Sequence, residues 1–275
     1  MFLGKRLLPL AAVVMAMTLV VAGCGKSSKS NAQITKPEDL AGKNVGVQIN
    51  TTADESCQKY LEKIKFNLKK YDQIIQPFTD LKTGRLDAVV VDEVVGRYYE
   101  KTDPKSYKVT SERLTNEPIG ICVKKGNEGL RDVIDDTIVE LRKDGTLKKI
   151  SEQWFGEDLT ANVDGAATET TGKGSVPSGM KVLKVGVDDV YPPMEYKDKD
   201  NNTVGFDVDL AKAIGEKLGL EVQFVSTAWD GIFTSLNTDK FDCIISSVSV
   251  NEERQKNFAL TKPYIANAQV IVVKP

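Results

Sequence analysis

Five residues, Phe78, Thr79, Leu81, Thr83 and Asp87, recur in unbroken register as Phe233, Thr234, Leu236, Thr238 and Asp242. Each copy reads as a helix end, a polar turn and a buried strand, so the chain carries two related α/β units. The first strand, Ala88-Val89-Val90-Val91, runs up to Asp92-Glu93. The second, Cys243-Ile244-Ile245, runs up to Ser246-Ser247, which puts Asp92 and Ser247 at equivalent positions. Two lobes whose buried strands end in polar groups make a cleft when they face each other, and such a cleft is a ligand site.

A chain of 275 residues with 41% hydrophobic content can bury two modest cores. Its formal charge is −2, and loss of a leader carrying Lys5 and Arg6 makes it more negative still, which argues against nucleic acid as a partner. Residues 1–23 read as a signal peptide: a basic start, an apolar run from Leu7 to Val21 that is short for a membrane span, and small residues before Cys24. Val21-Ala22-Gly23-Cys24 resembles the bacterial lipobox, which makes Cys24 the lipidated first residue and residues 24–32 a flexible tether. With Cys24 used, an odd set remains: Cys57, Cys122 and Cys243. They show no metal-binding spacing, histidine is absent, and two of the three lie in apolar strands. No catalytic, metal or cofactor role is expected of them.

Further along, Pro37 to Lys43 reads as a helical turn leading into a strand at Asn44 to Gln48. The helix after Thr51-Thr52 is expected to bury Tyr60, Leu61 and Ile64, and a strand is expected near Asp72 to Phe78. Gly129 to Phe155 has helical periodicity. From Leu159 to Gly179 the composition turns to Thr, Gly, Ala and Ser with almost nothing to bury, the signature of a linker. Met180 to Val187 then starts a second domain with a clean strand, and Gln269 to Val273 forms a last one.

In sequence order, Asp188 to Glu195, Gly205 to Ala211, Trp229-Asp230-Gly231, Ser246 to Arg254 and Phe258 to Tyr264 resemble the first half of a known family. It comprises the polar amino-acid-binding proteins of bacterial ABC importers, extracellular solute-binding protein family 3. Residues 36 to 158 resemble its second half, so the halves are exchanged. Joining Val273-Lys274-Pro275 to Asn31 onward restores the family order. The chain thus resembles a circular permutant in which residues 159–179 bridge the old termini and Met180 is a relic of an older start. The resemblance implies a two-lobed α/β fold of the type II periplasmic-binding kind, with central sheets and a cleft at the hinge. Residues 33–115 plus 266–275 would form lobe 2 and residues 116–265 lobe 1, with crossings near Leu114 to Glu117 and Tyr264 to Asn267.

A free amino acid has a carboxylate and an ammonium on one carbon, so its receptor needs an anion site beside a carboxylate. By resemblance, Ser249 and Arg254 hold the ligand carboxylate from one lobe, with Asn251 capping the helix that carries Arg254. Thr51 and Thr52 add to that site from the other lobe, after an Asn50 that stands where glycine is usual. Asp92 takes the ammonium. Asp188, Tyr191, Trp229, Ser246 and Ser247 match the remaining pocket, with Gln48 and Glu93 near the far wall. An acid at position 188 goes in the family with basic ligands and with glutamine, which ranks arginine or lysine first and glutamine or another polar amino acid second. The implied protein is a monomeric lipoprotein on the outer face of the bacterial cytoplasmic membrane, delivering its ligand to an ABC permease. Two rival readings are a tethered sensor for a receptor or kinase, and a dehydratase-like enzyme using Asp188 or Glu195 as its acid.

Overall fold

The computed structural model describes residues 33–275; the leader, the tether and Cys24 lie outside the described residues. One five-stranded sheet contains β1 (Asn44–Gln48), β2 (Asn67–Tyr71), β3 (Ala88–Asp92), β4 (Lys108–Arg113) and β13 (Gln269–Val273), in the order β2-β1-β3-β13-β4. A second contains β5 (Ile119–Lys124), β6 (Val182–Val187), β10 (Glu221–Ser226), β11 (Cys243–Ser249) and β12 (Phe258–Leu260), in the order β10-β6-β11-β5-β12. A small hairpin sheet, β7 (Val190–Tyr191), β8 (Glu195–Lys197) and β9 (Thr203–Val204), flanks it. The protein is therefore mixed α/β with two sheet-containing lobes.

In each large sheet the central strands are buried on both faces. Ala88 and Val90 of β3 enter one core cluster with Val45, Val47, Ile271 and Val273, while Val89 and Val91 enter another. In β11, Cys243 and Ile245 separate in the same way from Ile244 and Val248. This explains why both segments read as unbroken apolar runs and not as alternating ones. Helices α1 (Thr52–Leu61), α2 (Ile75–Lys82) and α3 (Glu93–Thr102) belong to the first lobe. The second has α4 (Glu128–Lys143), α5 (Thr146–Phe155), α6 (Phe206–Leu218), α7 (Trp229–Asn237) and α8 (Glu252–Asn257).

The five-residue repeat performs the same structural task twice. Leu81 and Leu236 are fully buried, and Thr83 and Thr238 each donate back to a threonine carbonyl, of Thr79 and Thr234, at 3.0 Å. Gly84 and Asp239 then turn the chain with φ of +78° and +59°. Asp87 accepts from the Asn44 backbone N–H at 2.7 Å, and Asp242 from the Lys184 N–H at 2.7 Å. In both lobes an aspartate thus clamps the start of the neighbouring strand.

Two segments run side by side between the sheets: Leu114 N donates to Gln269 O (2.8 Å), Glu117 N to Asn267 O (2.9 Å) and Ile119 N to Ile265 O (3.0 Å). They form a paired hinge. Gly205 sits at φ +140°, where an added Cβ would come within 2.1 Å of the Met194 carbonyl oxygen. Only glycine lets the start of α6 lie against the β8 hairpin in this way.

Three sequence expectations are corrected. The segment near Asp72 to Phe78 is not a strand: α2 begins at Ile75, and Pro77 occupies its first turn, where the missing N–H costs nothing. The strand is β2, five residues earlier, an edge strand whose Lys69 and Lys70 suit its unpaired side. In α1 the buried face is Ala53, Ser56 and Cys57, while Tyr60, Leu61 and Ile64 are only half-buried. Residues 159–179 form no regular structure but do bury groups: Thr160 is buried with its carbonyl on Arg142, and Val176 packs against the core. Cys57, Cys122 and Cys243 are buried free thiols.

Candidate functional site

One narrow cavity gathers Gln48, Thr51, Thr52, Asp92, Asp188, Tyr191, Trp229, Ser246, Ser247, Ser249 and Arg254 on its walls, together with Glu195. Gln48 ends β1, Thr51 and Thr52 begin α1, and Asp92 ends β3, so the first lobe contributes only strand and helix ends. Ser246, Ser247 and Ser249 come from the end of β11, where its pairing with β5 shifts register. Such an irregularity re-aims side chains beside a site. Ser247 takes φ +50°, and its N–H donates to buried Asp207 at 2.8 Å.

Arg254 is nearly buried and lies over two aromatic rings, 5.5 Å from the Trp229 centroid and 5.3 Å from that of Phe233. Its backbone N–H is capped by Asn251 at 2.8 Å, and its guanidinium donates to the Ser249 carbonyl at 3.0 Å. Among the described residues it forms no ion pair. Burial lowers its pKa, opposed by the charges of Glu55, Asp92 and Glu117, without bringing it near neutrality. A buried cation with four of its five N–H donors left over is an anion site.

On the opposite wall, Asp92 is buried and accepts from Tyr191 Oη (2.5 Å), Asn267 Nδ2 (2.5 Å) and Gln269 Nε2 (2.7 Å). It occupies the N-cap position of α3 yet makes no side-chain cap bond, so its carboxylate is committed to the cavity. Burial raises its pKa, and the three donors pull it back down. Asp188 accepts from Gln48 Nε2 at 2.9 Å, and burial pushes its carboxyl up to about 6. The lobes also meet through Thr52 and Ser249, hydroxyl to hydroxyl at 3.2 Å, and through Trp229 Nε1 on the Asn50 carbonyl at 3.0 Å. Asn50 has φ +56°, a conformation that Asn tolerates in place of glycine.

Glu195 enters the sequence reading only as a candidate acid. It accepts from Ser246 Oγ at 2.7 Å and shares a hydrogen bond with Asp207, which also accepts from Tyr264 Oη at 2.6 Å. Burial and the Asp207 charge push its pKa well up. Asn267 and Gln269 escaped the sequence reading as site residues. Their signal was two amides opening an otherwise apolar strand, where buried polar groups are costly. Glu93, expected near the far wall, lies instead in a neighbouring hollow, ion-paired with Arg97 and Arg113.

Two α/β lobes joined by a paired hinge, with a buried cation and buried carboxylates facing one cavity, define a solute receptor of the closing-lobe kind. The chain belongs to the bacterial extracellular solute-binding proteins, family 3, whose sequence model matches residues 31–157 and 183–275. It is 35% identical over 127 residues to the L-cystine-binding protein TcyJ of Escherichia coli K12, a match covering 46% of this chain and 47% of that one. It is 37% identical over 97 residues to ABC transporter arginine-binding protein 1 of the same organism, covering 35% of this chain and 40% of the other. Among solved structures, an ancestral cationic amino-acid solute-binding protein shares 48% identity over 27% of this chain and 33% of its own, with a TM-score of 0.27. The chain thus spans less than half the length of these relatives in each match.

Proposed function

We propose that this protein binds a free L-amino acid between its lobes and delivers it to an ABC importer. The observation that carries this is the unpaired, buried Arg254 guanidinium on one lobe, sharing a cavity with buried Asp92 on the other. An α-carboxylate on Arg254 and an α-ammonium on Asp92 neutralise both, and each lobe is satisfied only when they close. With burial and Asp207 pushing the Glu195 carboxyl toward its neutral form, the cavity sets one cation, Arg254, against two further carboxylates, Asp92 and Asp188. A ligand with a second positive group balances that count, so a basic amino acid ranks first and glutamine, donating its amide to Asp188, second. Relatives named for arginine and cystine support the ligand class. Catalysis is disfavoured because Glu195, one of the two acids named for it, is already engaged by Ser246.

The reading extends to a monomeric lipoprotein anchored through Cys24, and to exchanged halves with lobes of residues 33–115 plus 266–275 and 116–265. The exchange is supported by Ile34 and Val273, near opposite ends of the described chain, sharing one core cluster. The test is calorimetry of residues 24–275 against L-arginine, L-lysine, L-histidine, L-glutamine and L-cystine. Arg254→Ala is expected to lose every ligand that the parent binds; near-normal affinity in that variant sinks the proposal.

A further inference from the structure

We infer that Gln269 is a positioning residue that ties both poles of the proposed amino-acid site to the hinge. The inference rests on the function proposed above. The Gln269 backbone belongs to the hinge: its carbonyl accepts from Leu114 N at 2.8 Å and its N–H donates to Thr115 Oγ1 at 2.9 Å. The side chain is 1% exposed and turns toward the cavity. Its Nε2 lies 2.7 Å from Asp92 Oδ1, 3.1 Å from Thr52 Oγ1 and 3.3 Å from Glu117 Oε2.

One amide nitrogen has two hydrogens, and the two shorter contacts take them. The consequences differ at the two poles. At Asp92 the amide joins Asn267 on Oδ1, which opposes the rise in pKa that burial causes and leaves Oδ2 turned to Tyr191 and the cavity. At Thr52 the hydroxyl oxygen accepts from the amide, which leaves its own hydrogen free to turn across the cleft toward Ser249, 3.2 Å away, or toward an α-carboxylate on the Arg254 side. A neutral amide thus fixes an acceptor for the ammonium and a donor for the carboxylate without altering the charge count. It does so from a strand whose first residue is bonded into the hinge. Gln269 also lines a second, small hollow with Gln48, Asp92 and Tyr191, and its own Oε1 has no partner among the described residues.

The experiment is calorimetry with whichever of L-arginine, L-lysine, L-histidine, L-glutamine or L-cystine binds the parent most tightly, on Gln269→Met, Thr52→Val, the double variant and Gln269→Glu. Gln269→Met is expected to weaken binding by about 10- to 100-fold, the range for hydrogen bonds to charged groups. Thr52→Val is expected to add little on that background, because the hydroxyl has already lost its orientation. Gln269→Glu carries the signature that a merely structural role would not show. Its affinity relative to the parent at the same pH should rise as the pH falls, since the protonated carboxyl donates where the amide did. Additive losses, or a Gln269→Met affinity within about threefold of the parent while Arg254→Ala abolishes binding, overturn the inference and leave the proposed function standing. If Gln269→Met does not fold, the pH trend of Gln269→Glu decides alone, and a flat ratio overturns it. Retained binding in Arg254→Ala instead removes the reading on which it rests.

Discussion

Asp188 is where the chemistry of single residues is most exposed to measurement. Its carboxyl is raised to about 6 by burial, relieved by Gln48 and aggravated by the charge of Asp189. The raised value means that ionised Asp188 opposes folding: the penalty is absent below the unfolded value near 4, grows as the pH rises toward 6, and is complete above it. Asp188→Asn is therefore expected to stabilise the ligand-free protein at neutral pH, by up to about 3 kcal/mol for two pKa units, read as a rise in Tm that vanishes near pH 4. The same group gives the ligand assignment a sign. A cationic side chain binds the ionised form, so its affinity falls about tenfold per pH unit below about 6 and is flat above 7, with proton release measurable by calorimetry in that window. Glutamine shows no such fall, and neither does a basic ligand on Asp188→Asn. Of the twelve pocket residues named from the sequence resemblance, eleven line the one cavity and Glu93 does not. Individual side chains were legible because ordered motifs fixed their place at strand and helix ends. The partners that tune them, Glu195 bound to Ser246 and Gln269 bound to Asp92, were not, since they come from segments 51 and 177 residues apart in the chain and touch only after folding.

Elements carry the duplication. Asp87 and Asp242 make the same contact at the same distance in different lobes, so Asp87→Ala and Asp242→Ala are expected to cost similar amounts, roughly 1.5–3 kcal/mol each, for loss of a charge-assisted bond. Denaturant melts check this, and a difference of more than about 1.5 kcal/mol would show that the two units no longer do equivalent work. Strands buried on both faces, β3 and β11, were legible as apolar runs because every side chain has a core to enter. The edge strand β2 was not, because none of its residues is fully buried and its pairing with β1 rests on backbone bonds and one Asn67–Asn44 side-chain contact. Ile74 and Ile75 misled for the complementary reason: β-branched residues favour strands, yet Ile74 is buried by tertiary packing at the head of a helix.

At the scale of the whole molecule, the proposed exchange of halves makes a prediction. Restoring the order 180–275 followed by 33–158 keeps the strand-to-strand hinge bonds and the cavity lining and, at the hinge, removes only the bonds of Ala266 to Leu159 and Asn116 to Asp164, so ligand affinity is expected within about threefold of the parent by calorimetry, a change under 1 kcal/mol. A larger loss would mean that residues 159–179, which lean on α4 through Asp136 and Gly129, shape the cleft. The two lobes were legible as a pair from the repeat, but their closure was not, because it depends on contacts such as Tyr191 with Asp92 that cross between them. The place of β13 has one more consequence. It is wedged between β3 and β4, and 154 residues separate Thr115 from the Gln269 it pairs with. A ribosome making this protein therefore emits β3 and β4 well before the strand that joins them, and the sheet stands open at its centre until β13 emerges. Over that interval two bare strand edges invite wrong partners, and a nascent chain of this design calls for protection by a chaperone until β13 is made.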